Sequence, residues 1–209
     1  MINMITKKQL KIFEVLVKRP FAEYSRTQIK TEAKEKSNNA LARAINIFKA
    51  EEVLIEKKVG KSGLLTLNLN NNLTFNYIAL CNELRLPHLA KQAIKILKGC
   101  IEENTHFYSL VVFGSYAFNE QKKNSDLDIA IFIENEEQRK KIEAAANSAK
   151  LKILVDADIQ VIVKEEMIEM LTNKEENLGK QIARKHLAVY NHQIFYGLIK
   201  EGMERGFRA

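Results

Sequence analysis

The stretch from Leu110 to Ile133 reads LVVFGSYAFNEQKKNSDLDIAIFI and decides the fold of the chain. It begins with an apolar run, Leu110 to Phe113, which predicts a buried strand that enters a turn at Gly114-Ser115. A second apolar run, Ile129 to Ile133, follows directly after Asp126-Leu127-Asp128 and predicts another strand. We therefore expect a turn at the end of the first strand and two carboxylates at the head of the second.

These residue types suit phosphate and divalent cations. Asp126 and Asp128 stand at i and i+2 of a strand, so they project from the same face. Burying two carboxylates beside an apolar sheet is costly unless a positive group neutralises them. Mg²⁺ is commonly held by one or two carboxylates and substrate phosphates. Gly114 allows close approach of a ligand, and the Ser115 hydroxyl can donate to a phosphate oxygen. The pattern predicts a phosphate cradle that faces a metal site; the alternative is two carboxylates that cap a hairpin.

Gly-Ser, ten further residues and then Asp-x-Asp resembles the signature of the minimal nucleotidyltransferases in the DNA polymerase β superfamily. Here the signature is Gly114-Ser115 and Asp126-Leu127-Asp128, and the resemblance covers about Phe107 to Phe195. One feature differs, because members often read Gly-Ser-x-Ala-Arg-Gly and this chain has Phe118-Asn119 in place of Arg-Gly.

The resemblance implies a third carboxylate from the next strand, which we place at Leu151 to Val163. Asp158 heads the run DIQVIV and is the first choice, with Asp156 as the alternate. The family's chemistry then implies two Mg²⁺ ions on Asp126, Asp128 and Asp158, with ATP as the substrate. Gly114 and Ser115 are expected to hold its phosphates.

The resemblance also places a basic helix across the cleft from the strands. Its candidate nucleotide-binding residues are Lys180 and Arg184, near Lys185 and His186. The alternative for this cluster is a solvated basic face. We expect the whole segment from Asn177 to Phe207 to form two helices.

The resemblance implies transfer of a nucleoside monophosphate, AMP from ATP, to a hydroxyl acceptor. We expect the acceptor on a protein partner, such as a toxin-like chain, because no separate antibiotic-binding domain is evident. A rival hypothesis is a DNA-binding transcriptional regulator whose nucleotidyltransferase domain senses nucleotide or is inactive.

The charge of the chain is concentrated at its start. Residues 1–70 hold fourteen Lys and Arg against seven Asp and Glu, and the remaining residues hold nineteen of each. The formal charge of +7 therefore lies in the first third of the chain. A separate basic module is a candidate for binding nucleic acid.

The pattern of this first third resembles a winged helix-turn-helix domain. Capping boxes at Thr6–Gln9 and Ser25–Gln28 predict two helices, and Ser37 begins a third. A hairpin follows, with a turn at Gly60–Gly63. The residues that we expect to contact duplex DNA are Asn39, Arg43 and Asn46 on the third helix and Lys57, Lys58 and Lys61 on the wing. The alternative is a module for protein docking or dimerisation.

The predicted class is α+β: a winged helix-turn-helix domain (residues 1–70), connecting helices (71–105) and a nucleotidyltransferase-fold domain with a mixed β-sheet and flanking helices (106–209). No apolar run is long enough to span a membrane. Cys81 and Cys100 are expected to be reduced thiols of a cytoplasmic protein. The oligomeric state stays open, with a homodimer as one alternative.

Overall fold

A computed structural model describes residues 5–60, 62–118, 120–122 and 125–208. Its contacts divide the chain into two compact units, Met1–Cys81 and Asn82–Ala209. The sequence prediction placed the domain boundary at Asn70, whereas this division falls eleven residues later, inside a helix.

The first unit combines helices with a small antiparallel sheet. Its elements are α1 (Lys7–Lys18), β1 (Tyr24–Ser25), α2 (Arg26–Glu32), α3 (Asn38–Ala50), β2 (Leu54–Val59), β3 (Ser62–Leu67) and most of α4 (Asn72–Arg85). β3 lies between β1 and β2 and is antiparallel to both. The predicted capping boxes at Thr6 and Ser25 are confirmed, and Ser37 caps α3.

Three aromatic rings explain why the first unit extends into α4. Phe13, Phe48 and Tyr77 pack edge-to-face, with ring centroids 5.3 to 6.1 Å apart. The Tyr77 hydroxyl donates to a carboxylate oxygen of Glu51 at 2.9 Å. The first half of α4 is therefore part of this core and is not a free connector.

The second unit is a mixed sheet with helices on both faces. Its elements are the end of α4, α5 (His88–Glu102), β4 (Tyr108–Val112), α6 (Gly114–Phe118), β5 (Leu127–Ile133), α7 (Arg139–Lys150), β6 (Ala157–Val163), α8 (Lys164–Thr172), α9 (Leu178–Arg184), β7 (Leu187–Tyr190) and α10 (His192–Glu204). The strand order is β6-β5-β4-β7, and only the β5–β6 pair is parallel. The predicted α+β class with a mixed sheet is confirmed.

Two predictions for this unit were wrong in detail. β6 begins at Ala157, not at Leu151, because pairing with β5 starts where the Leu127 N–H donates to the Asp156 carbonyl. The segment predicted as two helices contains β7, whose Leu187 and Ala188 are buried against β4.

The sheet has two different faces. Leu127, Ile129 and Ile131 of β5 share a core with Leu97 of α5 and Ile142 of α7. Asp128, Ala130 and Phe132 point to the other face, where the Phe132 ring lies 5.2 Å from that of Phe195 in α10. The carboxylate of Asp128 therefore stands on the face opposite α5 and α7.

Within the described ranges, none of the helices is both long enough and apolar enough to cross a membrane.

Candidate active site

The Gly-Ser turn meets β5 at Gly114 and Asp128. Asp126, which was predicted to lie in the same strand, precedes β5 and is exposed. The Phe113 N–H donates to the Asp128 carbonyl at 3.0 Å. Gly114 has a φ of +63°, and a Cβ at this position would overlap with the Asp128 carboxylate. Glycine is therefore required twice, once by the backbone angle and once by the carboxylate that lies against it.

The parallel ladder places Asp158 beside Asp128. The two residues are paired Cα partners in the β5–β6 register, so their side chains lie on the same face of the sheet. Both oxygens of Asp158 accept from the Gln160 amide nitrogen, at 3.0 and 3.1 Å. Asp156 precedes the ladder and is exposed. Of the two sequence candidates for a third carboxylate, Asp158 is the one paired with Asp128.

The carboxylates interact through their charges. Partial burial raises the pKa of Asp128 above its ordinary value, and the negative charges of Asp158 and Asp126 raise it further. A bound cation would relieve this repulsion, and carboxylate oxygens are the ligands that Mg²⁺ prefers. In the described ranges, however, no three His, Cys, Asp or Glu side chains are grouped closely enough to hold a metal ion. The donor chemistry fits Mg²⁺, but substrate phosphates or side-chain rotation would have to complete the site.

The helix α6 carries Ser115 and begins at the turn. Ser115 is half-buried, and its carbonyl accepts from the Glu120 N–H at 3.0 Å. At the other end of α6, the Arg85 guanidinium donates to the Ala117 carbonyl. Sequence reasoning missed Arg85 because no local signal links it to a residue 32 positions away. The Phe118 side chain and Asn119, where the motif departs from the family pattern, lie outside what the structure describes.

Residues 91–193 match the family Polymerase beta, Nucleotidyltransferase. The matched stretch contains the Gly114 turn and all four Asp candidates, including the alternate Asp156, and the mixed sheet with its helices fits a nucleotidyltransferase fold. The match supports nucleotidyl transfer as the general activity of this region. A search of the curated proteins finds no match to the chain.

The two candidate nucleotide-binding cations, Lys180 and Arg184, form hydrogen bonds with the segment that precedes α9. Lys180 is only 7% exposed, and its ammonium group donates to the Asn173 carbonyl. Arg184 forms two hydrogen bonds with the Glu176 carboxylate, at 2.7 and 2.9 Å. The structure thus shows both side chains in local contacts, and their nucleotide-binding role stays a prediction.

His186 is a core residue and does not extend that basic cluster. Burial lowers its pKa to about 4, so the ring is neutral at physiological pH. One ring nitrogen contacts the Tyr196 hydroxyl at 3.1 Å, and the ring packs edge-on against Phe195. These contacts fix the start of β7 against α10.

The candidate DNA-binding residues lie on exposed surfaces of the first unit. Asn39, Arg43 and Asn46 are all exposed on one face of α3. A cleft of about 560 Å³ between α1 and α3 is lined by Lys8, Asn39 and Arg43, among others. A second cleft, of about 250 Å³ and lined partly by Arg26 and Lys30, separates α2 from α3. The exposed face of α3 therefore has basic residues on both sides, of which Lys8 forms an ion pair with Glu35 and Arg26 forms one with Glu56.

The structure describes two of the three candidate DNA-binding lysines of the hairpin. Lys57 and Lys58 are exposed on β2, and the Lys57 ammonium group lies 4.0 Å from a carboxylate oxygen of Glu23. Lys61 lies outside the described residues.

Proposed function

We propose that this chain transfers a nucleoside monophosphate, AMP from ATP, to a hydroxyl on a protein partner. The observation that carries the proposal is the position of Asp128. Its carboxylate lies against the Gly114 turn and beside Asp158 in the parallel ladder. A phosphate cradle and paired carboxylates are thereby side by side, inside a region that matches a nucleotidyltransferase family.

Each residue has a distinct part in the proposed reaction. The Ser115 hydroxyl and the N–H groups after Gly114 donate to the β- and γ-phosphates and orient the triphosphate. Asp126, Asp128 and Asp158 are the residues that would hold two Mg²⁺ ions. When bound, such ions neutralise the charge that develops on the phosphates. Asp158 lies on the edge strand β6 and accepts a hydrogen bond, and then the proton, from the acceptor hydroxyl. The hydroxyl oxygen forms a bond to the α-phosphorus of ATP as the bond to the β-phosphate oxygen breaks, and pyrophosphate leaves.

The test is incubation with α-labelled ATP, Mg²⁺ and candidate acceptor proteins, with pyrophosphate measured in parallel. Asp128→Asn and Asp158→Asn should each abolish labelling. Asp156→Asn is the matched control, because it removes one carboxylate immediately before β6 and should keep labelling near the wild-type level. Labelling that survives in Asp128→Asn would place the chemistry elsewhere.

For the first unit we propose a winged helix-turn-helix domain that binds duplex DNA. The support is the exposed row of Asn39, Arg43 and Asn46 on α3, together with the cationic clefts beside it. Side chains of these types read base edges, whereas lysines on a hairpin suit phosphates.

A second candidate function is a DNA-binding regulator that senses nucleotide without transferring it. The local contacts of Lys180 and Arg184 favour it, because they leave the triphosphate fewer cations. On this reading Mg²⁺-ATP changes the affinity for DNA, and no pyrophosphate forms. Measuring DNA affinity and pyrophosphate in the same sample separates the two functions.

A further inference from the structure

The strand β6 forms one edge of the four-stranded sheet. The Leu127 N–H donates to the Asp156 carbonyl at 2.8 Å, so Asp156 and the residues at even positions after it turn their backbone groups toward β5. Because successive residues of a strand alternate, the odd positions of β6 turn theirs toward the open edge.

One half of this edge is closed by side chains. The Arg139 guanidinium donates to the Val161 carbonyl at 3.0 Å. The Glu166 carboxylate accepts from the Val163 N–H, also at 3.0 Å. Arg139 and Glu166 form an ion pair with each other. This ion pair therefore covers the C-terminal end of β6, which is the end far from Asp128 and Asp158. Covering an edge in this way prevents unwanted strand pairing.

The other half of the edge is open. Among the described residues, no group outside the β5–β6 ladder forms a hydrogen bond with the backbone of Ala157 or Ile159. Asp158 lies between these two residues, with its side chain on the same face as Asp128. Leu151 and Leu154, just before the strand, are 90% and 84% exposed. The open backbone and the exposed leucines thus lie close in sequence to the carboxylate that the proposed function assigns to the acceptor.

We infer that an extended segment of the acceptor protein adds to the sheet at Ala157–Ile159. This inference rests on the proposed function and names how the acceptor binds. An added strand lies about 4.8 Å from β6, and a side chain opposite Asp158 has its Cβ about 5 Å away. A Ser, Thr or Tyr in that position brings its hydroxyl to the Asp158 carboxylate. Backbone pairing explains the affinity, and the exposed leucines contact apolar side chains of the same segment.

The probe is a panel of capped decapeptides, each with a single Ser, Thr or Tyr between Val and Gln residues, so that each peptide carries one side-chain hydroxyl. We expect a binding peptide to protect the amide hydrogens of Ala157 and Ile159 from exchange, as measured by NMR. Protection at Val163, whose N–H is already bonded to Glu166, should stay unchanged. Methylating the peptide nitrogens that face β6 should weaken binding at least threefold for each hydrogen bond lost, whereas methylating the alternate nitrogens should not.

A protein variant gives a second measurement. Ala157→Pro removes only an outward N–H, and proline is tolerated at the first residue of an edge strand. It should weaken peptide binding roughly three- to tenfold. Ala157→Ser keeps the N–H and is the matched control. If Ala157→Pro fails to fold, the methylated peptides still decide the question.

The outcomes separate this inference from the proposed function. Protection of the two amides without nucleotide transfer supports strand addition at Ala157–Ile159, which we call the docking edge, and contradicts the proposed transfer activity. Transfer to a peptide that leaves both amides unprotected, and that is equal in Ala157→Pro, overturns the docking edge alone. Protection that rises with protein concentration in the absence of peptide assigns the edge to a second copy of the chain. Failure of every peptide to protect either amide also overturns the inference.

Discussion

Gly114 is the residue on which the site depends most directly. Gly114→Ala would require a side chain at a φ of +63° and would displace the Asp128 carboxylate. The backbone angle alone costs roughly 1–2 kcal/mol of folding free energy, which urea unfolding can measure. Nucleotide transfer should be lost as well. Gly99→Ala is the matched control, since nothing lies near a Cβ in α5, and it should stabilise the chain by about 0.5–1 kcal/mol. Equal stability of the two variants would contradict this account.

The raised pKa of Asp128 predicts how its contribution to stability depends on pH. Its raised pKa means that the folded chain binds this proton more tightly than the unfolded chain does. Without Mg²⁺, the contribution of Asp128 to stability should therefore fall as the pH rises from the ordinary value of 3.8 through the raised value, and stay constant above it. This contribution is measured as the difference between the wild type and Asp128→Asn, because carboxylates with lowered pKa values, such as Glu56 and Glu166, act in the opposite direction in both proteins. Asp128→Asn removes the ionised form, so its melting temperature should exceed that of the wild type at pH 7 and approach it in acid.

Thermal unfolding from pH 3 to pH 8 measures this difference. Asp156→Asn changes the same charge at an exposed position and is the matched control. A melting temperature of Asp128→Asn below that of the wild type at neutral pH would show that the ionised carboxylate stabilises the fold.

Single residues also mark the limit of what sequence can predict about the site. Gly114, Asp126 and Asp128 could be predicted as site residues because one short motif contains them. Gln160, which holds Asp158, and Arg85, which holds α6, carry no such signal. Their roles depend on strand register and helix packing, and the local sequence pattern does not specify either of them.

At the scale of elements, the hairpin of β2 and β3 predicts the salt dependence of DNA binding. Each lysine that neutralises one phosphate contributes about −0.9 to the slope of log affinity against log salt. Replacing Lys57, Lys58 and Lys61 with Ala should therefore flatten the slope by nearly three units. Lys140, Lys141 and Lys150 are lysines of α7, and replacing them is the control of equal charge. An unchanged slope in the hairpin variant favours a docking role for the first unit.

The elements that sequence predicted well are those with local signals. Thr6–Gln9 and Ser25–Gln28 fixed two helix starts, because each capping box is complete within four residues. β7 was missed because its four residues, Leu187–Tyr190, are too few to show an alternating pattern. Its strand conformation depends on pairing with β4, and that pairing is a long-range contact.

For the whole molecule, the division after Cys81 predicts which fragments fold. A fragment of residues 1–70 lacks Phe75, Tyr77 and Ile78, which are buried in the first unit. Losing one buried large aromatic costs about 3–5 kcal/mol, which is comparable to the stability of a small domain. The fragment should therefore lack a cooperative thermal transition.

A fragment of residues 1–85 keeps all of α4 and should unfold cooperatively. Circular dichroism during heating compares the two fragments directly. Cooperative unfolding of the shorter fragment would show that the boundary predicted from sequence, at Asn70, is a true domain boundary.

The position of β7 has a consequence for synthesis on the ribosome. Every residue of β4 is buried, yet its partner Leu187 is made 75 residues after Val112. At about 5–20 residues per second, one edge of this apolar strand stays unpaired for roughly 4 to 15 seconds after β4 has been translated. Nascent chains that stall in this interval expose a hydrophobic strand edge, so they are the species of this protein that should recruit chaperones and aggregate.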